Sequence, residues 1–174
     1  MSKLCVITGV GTGNGASFSR RFTREGYRVV MLARNIAYLE TLAKEIPGSV
    51  AMECDVRDPG AIQHAFARIH EEIGTVDTLI YNAGAGEWAS IMDTSLEGMQ
   101  SSWATNTLGL VACAQEVIPS MTEKGEGNIM VIGATASLRG GAQSTAFASA
   151  KAAQRSVAQS MARDLGPKGI HVGY

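Results

Sequence analysis

Short β-branched runs alternate with longer stretches of helical apolar period along the whole chain, and this alternation restricts the fold more than any other feature. The runs at Leu4 to Thr8, Arg28 to Ala33, Val50 to Asp55, Val76 to Asn82 and Asn128 to Gly133 are strand-sized, and several are too apolar to leave one face in water. Ile62, Phe66, Ile69 and Ile73 form a helical stripe. Met99, Trp103, Asn106, Leu110, Cys113 and Val117 form a second. Phe147, Ala150, Lys151, Gln154, Val157 and Met161 form a third, ended by Gly166 and Pro167. The second stripe contains one polar member, Asn106, and the third contains a charge, Lys151. Right-handed crossovers between such units build a doubly wound parallel sheet, α/β in class. Its ligands are expected outside the carboxyl ends of the strands, near the switch between the first and fourth.

Composition narrows what that sheet serves. With 174 residues, 15 Lys and Arg against 16 Asp and Glu, and only 18% charged residues, the chain reads as one globular domain over 1–174. Its balance predicts no nucleic-acid partner, because such a partner calls for a clustered basic excess. No apolar run reaches the length of a membrane span, and Leu4 to Ile7 is too short for a secretory leader, so no membrane partner is expected. Cys5, Cys54 and Cys113 are odd in number and widely spaced in apolar surroundings, which points to a reducing, cytoplasmic location.

Thr8-Gly9-Val10-Gly11-Thr12-Gly13-Asn14-Gly15 follows the first strand and opens the first helix. Glycines there let the backbone approach a pyrophosphate, and the helix start offers unpaired N–H groups to an anion. This Thr-Gly-x-x-x-Gly-x-Gly spacing resembles the short-chain dehydrogenase/reductase family of classical type. Further along, Asp55-Val56, Tyr81-Asn82-Ala83-Gly84, Asn106 and Lys151 fall in the same order as that family's motifs, so the resemblance runs through essentially the whole chain. It implies a Rossmann-type sheet with helices on both faces. It also implies a nicotinamide dinucleotide held by Gly9, Thr12, Gly13, Asn14, Gly15, Asp55, Val56, Asn82, Ala83, Gly84 and Lys151. Ala33 stands where an NAD-type member carries an acid, about 20 residues past the glycines, and Arg34 follows it, able to fork onto a 2′-phosphate. NADP(H) is therefore expected in preference to NAD(H).

The chemical half of the pattern fails. In the family a Tyr hydroxyl is the general acid, a Ser polarises the carbonyl, and a Lys and an Asn support them. Asn106 and Lys151 are kept, but Phe147 holds the Tyr position and Ala134 the Ser position. General acid catalysis is worth roughly 10²- to 10⁴-fold and an oxyanion donor about 3 kcal/mol, and the two act as a unit. The expectation is an oxidoreductase with impaired reduction of an unknown carbonyl or alcohol, or else a catalytically silent NADP(H)-binding or interaction module. Thr135, Ser137, Ser144 and Thr145 are candidate substitute hydroxyls, read first as helix caps or loop ties. Tyr81 is a poor replacement because the family places it beside the cofactor. Trp88 is a candidate pocket wall and Arg139 a candidate anion contact. His64, His70 and His171 show no metal spacing.

The family continues through two more strands and a substrate-covering helix. The chain thus reads as C-terminally shortened, with Ile170 to Val172 beginning another strand and the fifth strand left as an edge. The last two long helices, rich in Ala, Ser, Met and Gln, resemble the faces through which the family dimerises, so a homo-oligomer is expected.

Overall fold

The computed structural model describes residues 2–174. Its six strands form one parallel sheet, β1 (Leu4–Thr8), β2 (Arg28–Ala33), β3 (Val50–Glu53), β4 (Thr78–Tyr81), β5 (Gly127–Val131) and β6 (Ile170–Gly173), in the order β3-β2-β1-β4-β5-β6. The order reverses between β1 and β4, the switch point inferred from the crossover rule. The helices are α1 (Asn14–Arg24), α2 (Ile36–Glu45), α3 (Pro59–Glu72), α4 (Leu96–Trp103), α5 (Gly109–Lys124) and α6 (Thr145–Leu165).

Strand alternation explains the two apolar layers. In β1, Leu4 and Val6 pack with Phe66, Leu110 and Val117 on the side of α3 and α5, while Cys5 and Ile7 pack with Leu39 and Leu42 on the side of α1 and α2. All of these side chains are buried, so β1 is covered on both faces and reads as an unbroken apolar run.

Several boundaries depart from the sequence reading. The third strand stops at Glu53 because the Asp55 side chain accepts from its own downstream backbone, Arg57 N at 3.0 Å, and turns the chain. The fourth and fifth strands are shorter than the runs that predict them. The stripe through Met99 and Val117 is not one α-helix. A π-turn (Ala104–Leu108) joins α4 to α5 and shifts the buried face, so Ser102 is buried and Trp103 is 43% exposed.

The fifth strand is also not the edge. Past the 3₁₀ turn Gly166–Lys168, the terminal segment pairs with β5 from Gly127↔Ile170 to Met130↔Gly173. Ile170 enters the core, and the short β6 takes the edge position. On the other face of β5, Met130 remains 40% exposed. No helix among the described residues is long and apolar enough to cross a membrane.

Candidate functional site

The carboxyl ends of β1 to β4 open onto a cleft of about 880 Å³. Its first wall is the glycine loop. Val10 N donates to Leu32 O at 3.1 Å, which ties the loop to β2, and Asn82 Nδ2 donates to Gly9 O at 2.8 Å, which ties it to the end of β4. The two segments pack backbone on backbone. Gly9 has φ +65°, and a side chain there would begin 2.5 Å from Ala83 Cα, so only glycine meets both demands. At Gly11 and Gly13 the space a side chain would take is empty within 4 Å. Gly13 precedes α1, whose first turn has no acidic residue and no side-chain cap among the described residues. Ala16 N is taken by Gly11 O at 3.1 Å, which leaves Asn14 N and Gly15 N as the first-turn donors with no partner among the described residues.

The second wall carries charge. Arg34 is exposed at the end of β2, lines the cleft, and makes no ion pair or side-chain hydrogen bond among the described residues. Asp55 and Arg57 line it from beyond β3, and the Arg57 guanidinium grips both carboxylate oxygens of Asp55 at 2.6–3.1 Å. That contact holds the Asp55 carboxyl below its usual range against the opposing effect of burial, and Arg34 adds to the lowering. Asp55 is thereby bonded to Arg57, and Arg34, which acts on it only at a distance, keeps its donors unpaired among the described residues.

The floor is Asn82, Ala83 and Gly84, and behind Gly84 stand Asn106 and Lys151. Asn106, in the π-turn, donates through Nδ2 to Ala85 O at 2.6 Å and Ser102 O at 2.8 Å. Its Oδ1 is buried and has no partner among the described residues. Lys151 is 4% exposed and donates to Ile132 O at 2.9 Å. Burial pushes its ammonium down to about 8.

At the mouth, Phe147 lies against Gly86, where a side chain would begin 2.6 Å from Phe147 Cβ. Trp88 stacks on the Phe147 ring with centroids 4.9 Å apart. An apolar shelf thus stands where the resemblance implies a phenol.

Of the residues singled out from sequence, Gly9, Arg34, Asp55, Val56, Asn82, Ala83 and Gly84 converge on this one cleft. Thr12, Gly13, Asn14 and Gly15 lie at the start of α1, outside the cleft lining. Ala134 follows β5, half-buried, two residues past the Ile132 carbonyl that Lys151 grips. Tyr81 is fully buried and donates to Thr105 O, and burial pushes its phenol up, so it offers no proton to the cleft. Ser144 does not cap α6 with its side chain. Its Oγ accepts from Gly141 N at 2.9 Å, the loop-tie alternative. Ser137 is buried with its hydroxyl unpaired among the described residues, Arg139 is exposed, and His64 and His70 are exposed on α3. The three cysteines are buried free thiols. Burial raises them, Cys54 to about 11, and leaves them poor nucleophiles. Sequence reasoning missed Arg57 as the partner of Asp55. It also missed Gln154, whose one visible signal was a polar side chain in the α6 stripe beside Lys151.

A glycine loop at a helix start, a cleft at the strand-order switch and a Lys and Asn behind its floor define a dinucleotide-binding α/β protein. The sequence matches the short chain dehydrogenase family over residues 3–174, and the chain belongs to that family, whose oxidoreductases use a nicotinamide cofactor. It is 30% identical to carbonyl reductase family member 4 of Danio rerio over 174 residues, covering 99% of this chain and 73% of that protein. A short-chain dehydrogenase of Streptomyces avermitilis superposes with a TM-score of 0.94 at 25% identity, with 99% of this chain and 64% of that one covered. A short chain dehydrogenase of Bacillus anthracis superposes with a TM-score of 0.92 at 33% identity, covering 98% and 73%.

The residues present fit the family's cofactor. The open space at Gly11 and Gly13 leaves room for a pyrophosphate, and the unpartnered Asn106 Oδ1 and the Lys151 ammonium stand directly behind Gly84, on the floor where a sugar would lie.

Proposed function

We propose that this chain binds NADP(H) in preference to NAD(H), and that its reduction of a carbonyl or oxidation of an alcohol is impaired. The observation that carries the cofactor preference is Arg34, unpaired at the end of β2 beside Ala33, while the nearest acid in the cleft, Asp55, is engaged by Arg57. A 2′-phosphate would meet a guanidinium with no direct partner, while the Asp55 carboxylate is already gripped by Arg57. Bound there, the dinucleotide would give a hydride to a carbonyl or take one from an alcohol. The glycine loop and α1 hold its phosphates, and Lys151 and Asn106 orient the nicotinamide end. Neither usual proton-handling group is present. Phe147 has no hydroxyl, and Ala134 has none to polarise a carbonyl.

A second reading, a catalytically silent cofactor-binding module, is favoured by the seating of Phe147 between Gly86 and Trp88, which gives that position a packing role in place of a chemical one. The double substitution Phe147→Tyr with Ala134→Ser tests the impairment. Carbonyl reduction followed by NADPH absorbance should rise by roughly 10²-fold or more if those two groups are what is missing. Wild-type turnover that the double substitution leaves unchanged would contradict it.

Two further features belong to this reading. The three free thiols support a reducing, cytoplasmic compartment. A shallow apolar groove of about 350 Å³ between α5 and α6, lined by Val111, Ile118, Val157 and Met161 with the small Ala114 and Ser160, supports a homo-oligomer formed through these helices.

A further inference from the structure

Lys151 and Asn106 are tied together by a residue that cofactor binding as described above does not use. Gln154 stands one helical turn beyond Lys151 on α6 and is fully buried. Its Oε1 accepts from Lys151 Nζ at 2.9 Å, and its Nε2 donates to the backbone oxygen of Asn106 at 2.7 Å. One carboxamide thus spans the last helix and the π-turn, segments 48 residues apart at this contact.

What the carboxamide leaves free is specific. Asn106 Nδ2 is committed to two carbonyls, so Oδ1 is the unpartnered atom of that side chain among the described residues. Lys151 Nζ gives one N–H to Ile132 O and one to Gln154 Oε1, and an ammonium has a third. Nζ and the buried Oδ1 lie 3.5 Å and 3.4 Å from the point where a side chain on Gly84 would begin. The donor and the acceptor thus stand side by side behind Gly84, a pairing that a hydroxyl group, which accepts and donates at once, would complement.

We propose that Gln154 is a positioning residue whose amide sets Lys151 and Asn106 as a matched donor and acceptor for a sugar hydroxyl of the bound dinucleotide. The proposal rests on the dinucleotide binding argued above. An amide suits the task because it offers both an acceptor and a donor and carries no charge. A carboxylate in its place would pair with the ammonium and lose the donor to Asn106 O. An apolar side chain would leave both partners short of a bond in a buried place.

The neutral strut also leaves the charge of Lys151 responsive to pH. Around the ammonium stand Ile132 O, Gln154, Asn106, Gly84 and the Phe147 ring, whose centroid is 5.9 Å away. The titratable neighbour is Tyr174, which donates to the Lys151 backbone oxygen at 3.4 Å, and no carboxylate among the described residues bonds to Nζ. Burial holds the ammonium at about 8, so the charged donor is present below that pH and lost above it. Dinucleotide affinity should fall as pH rises through it.

Two readouts test the role. An NMR titration of Cε-labelled lysines in the free protein, with Lys151 assigned through a Lys151→Met variant, follows the ammonium from about pH 6 to about pH 10. The near-isosteric Gln154→Glu should raise its midpoint by about one pH unit or more. Calorimetric titration with NADPH should show wild-type affinity declining above about pH 8, Gln154→Glu holding its affinity to higher pH, and Gln154→Met binding about tenfold or more weakly. Should Gln154→Met fail to fold, Gln154→Glu carries both readouts. An unmoved Lys151 midpoint in Gln154→Glu overturns the proposal, as does a pH profile shared by wild type and Gln154→Glu. Wild-type protein that binds no nucleotide overturns it together with the dinucleotide reading, whereas wild-type binding that Gln154→Met leaves intact overturns it alone.

Discussion

Asp77 shows how one side chain sets the frame for the cleft from the opposite end of the sheet. It accepts from Leu4 N at 2.7 Å and pairs with Lys124, joining β1, β4 and the end of α5. Burial pushes its carboxyl up, but the bonds from Lys124 and from Leu4 N outweigh it and hold the group below its usual range. A carboxyl lowered on folding contributes stability that is fully present above its unfolded value and is lost as pH falls through the folded one. Asp77→Asn should therefore lower the melting temperature near neutrality and flatten the loss of stability below about pH 5, as read by thermal melts across pH. At this scale the sequence is uneven in what it discloses. Lys151 and Asn106 stand out as polar members of apolar stripes. The work of Gln154 stays hidden, because its partner carbonyl lies in another helix and is brought to it by the fold.

Among the elements, the glycine loop and the turn after β4 act as one unit, since Gly9 and Ala83 meet backbone to backbone. Gly9→Ala must adopt a left-handed conformation and also displace Ala83, at a cost of about 2–4 kcal/mol. Thermal unfolding should show the loss, and nucleotide affinity should fall with it, because both walls of the cleft move. β1 and β2 are legible residue by residue in the sequence, since strands covered on both faces are unbroken apolar runs. The end of β3 is not, because an Asp55 side chain bonded to Arg57 N turns a chain whose composition still reads as extended. The π-turn is likewise hidden. The stripe of Met99 to Val117 has a plausible α-helical period, and the shift that exposes Trp103 is set by packing against α6, where Thr107 Oγ1 donates to Ala150 O at 3.1 Å.

For the whole molecule, the sheet order and the position of the cleft follow from strand–helix alternation and the handedness of crossovers. The pairing of Ile170–Gly173 onto β5 required the turn at Gly166–Lys168, which composition alone marks only as a helix end. The groove between α5 and α6 predicts self-association. Sedimentation velocity should find an oligomer, and Ser160→Arg, which sets a charge among Val157, Met161 and Val111, should shift it toward monomer without unfolding it. A wild-type monomer at micromolar concentration would contradict that assignment. In the function proposed above, the cofactor half of the site works while its proton-donating half is missing. Calorimetric titration of the chain with NADPH and with NADH at one fixed ionic strength tests the first part most directly. Binding of NADPH about tenfold or more tighter than NADH, lost in Arg34→Ala, is the predicted result. Equal affinities that Arg34→Ala leaves unchanged, or no binding by folded protein, would contradict it.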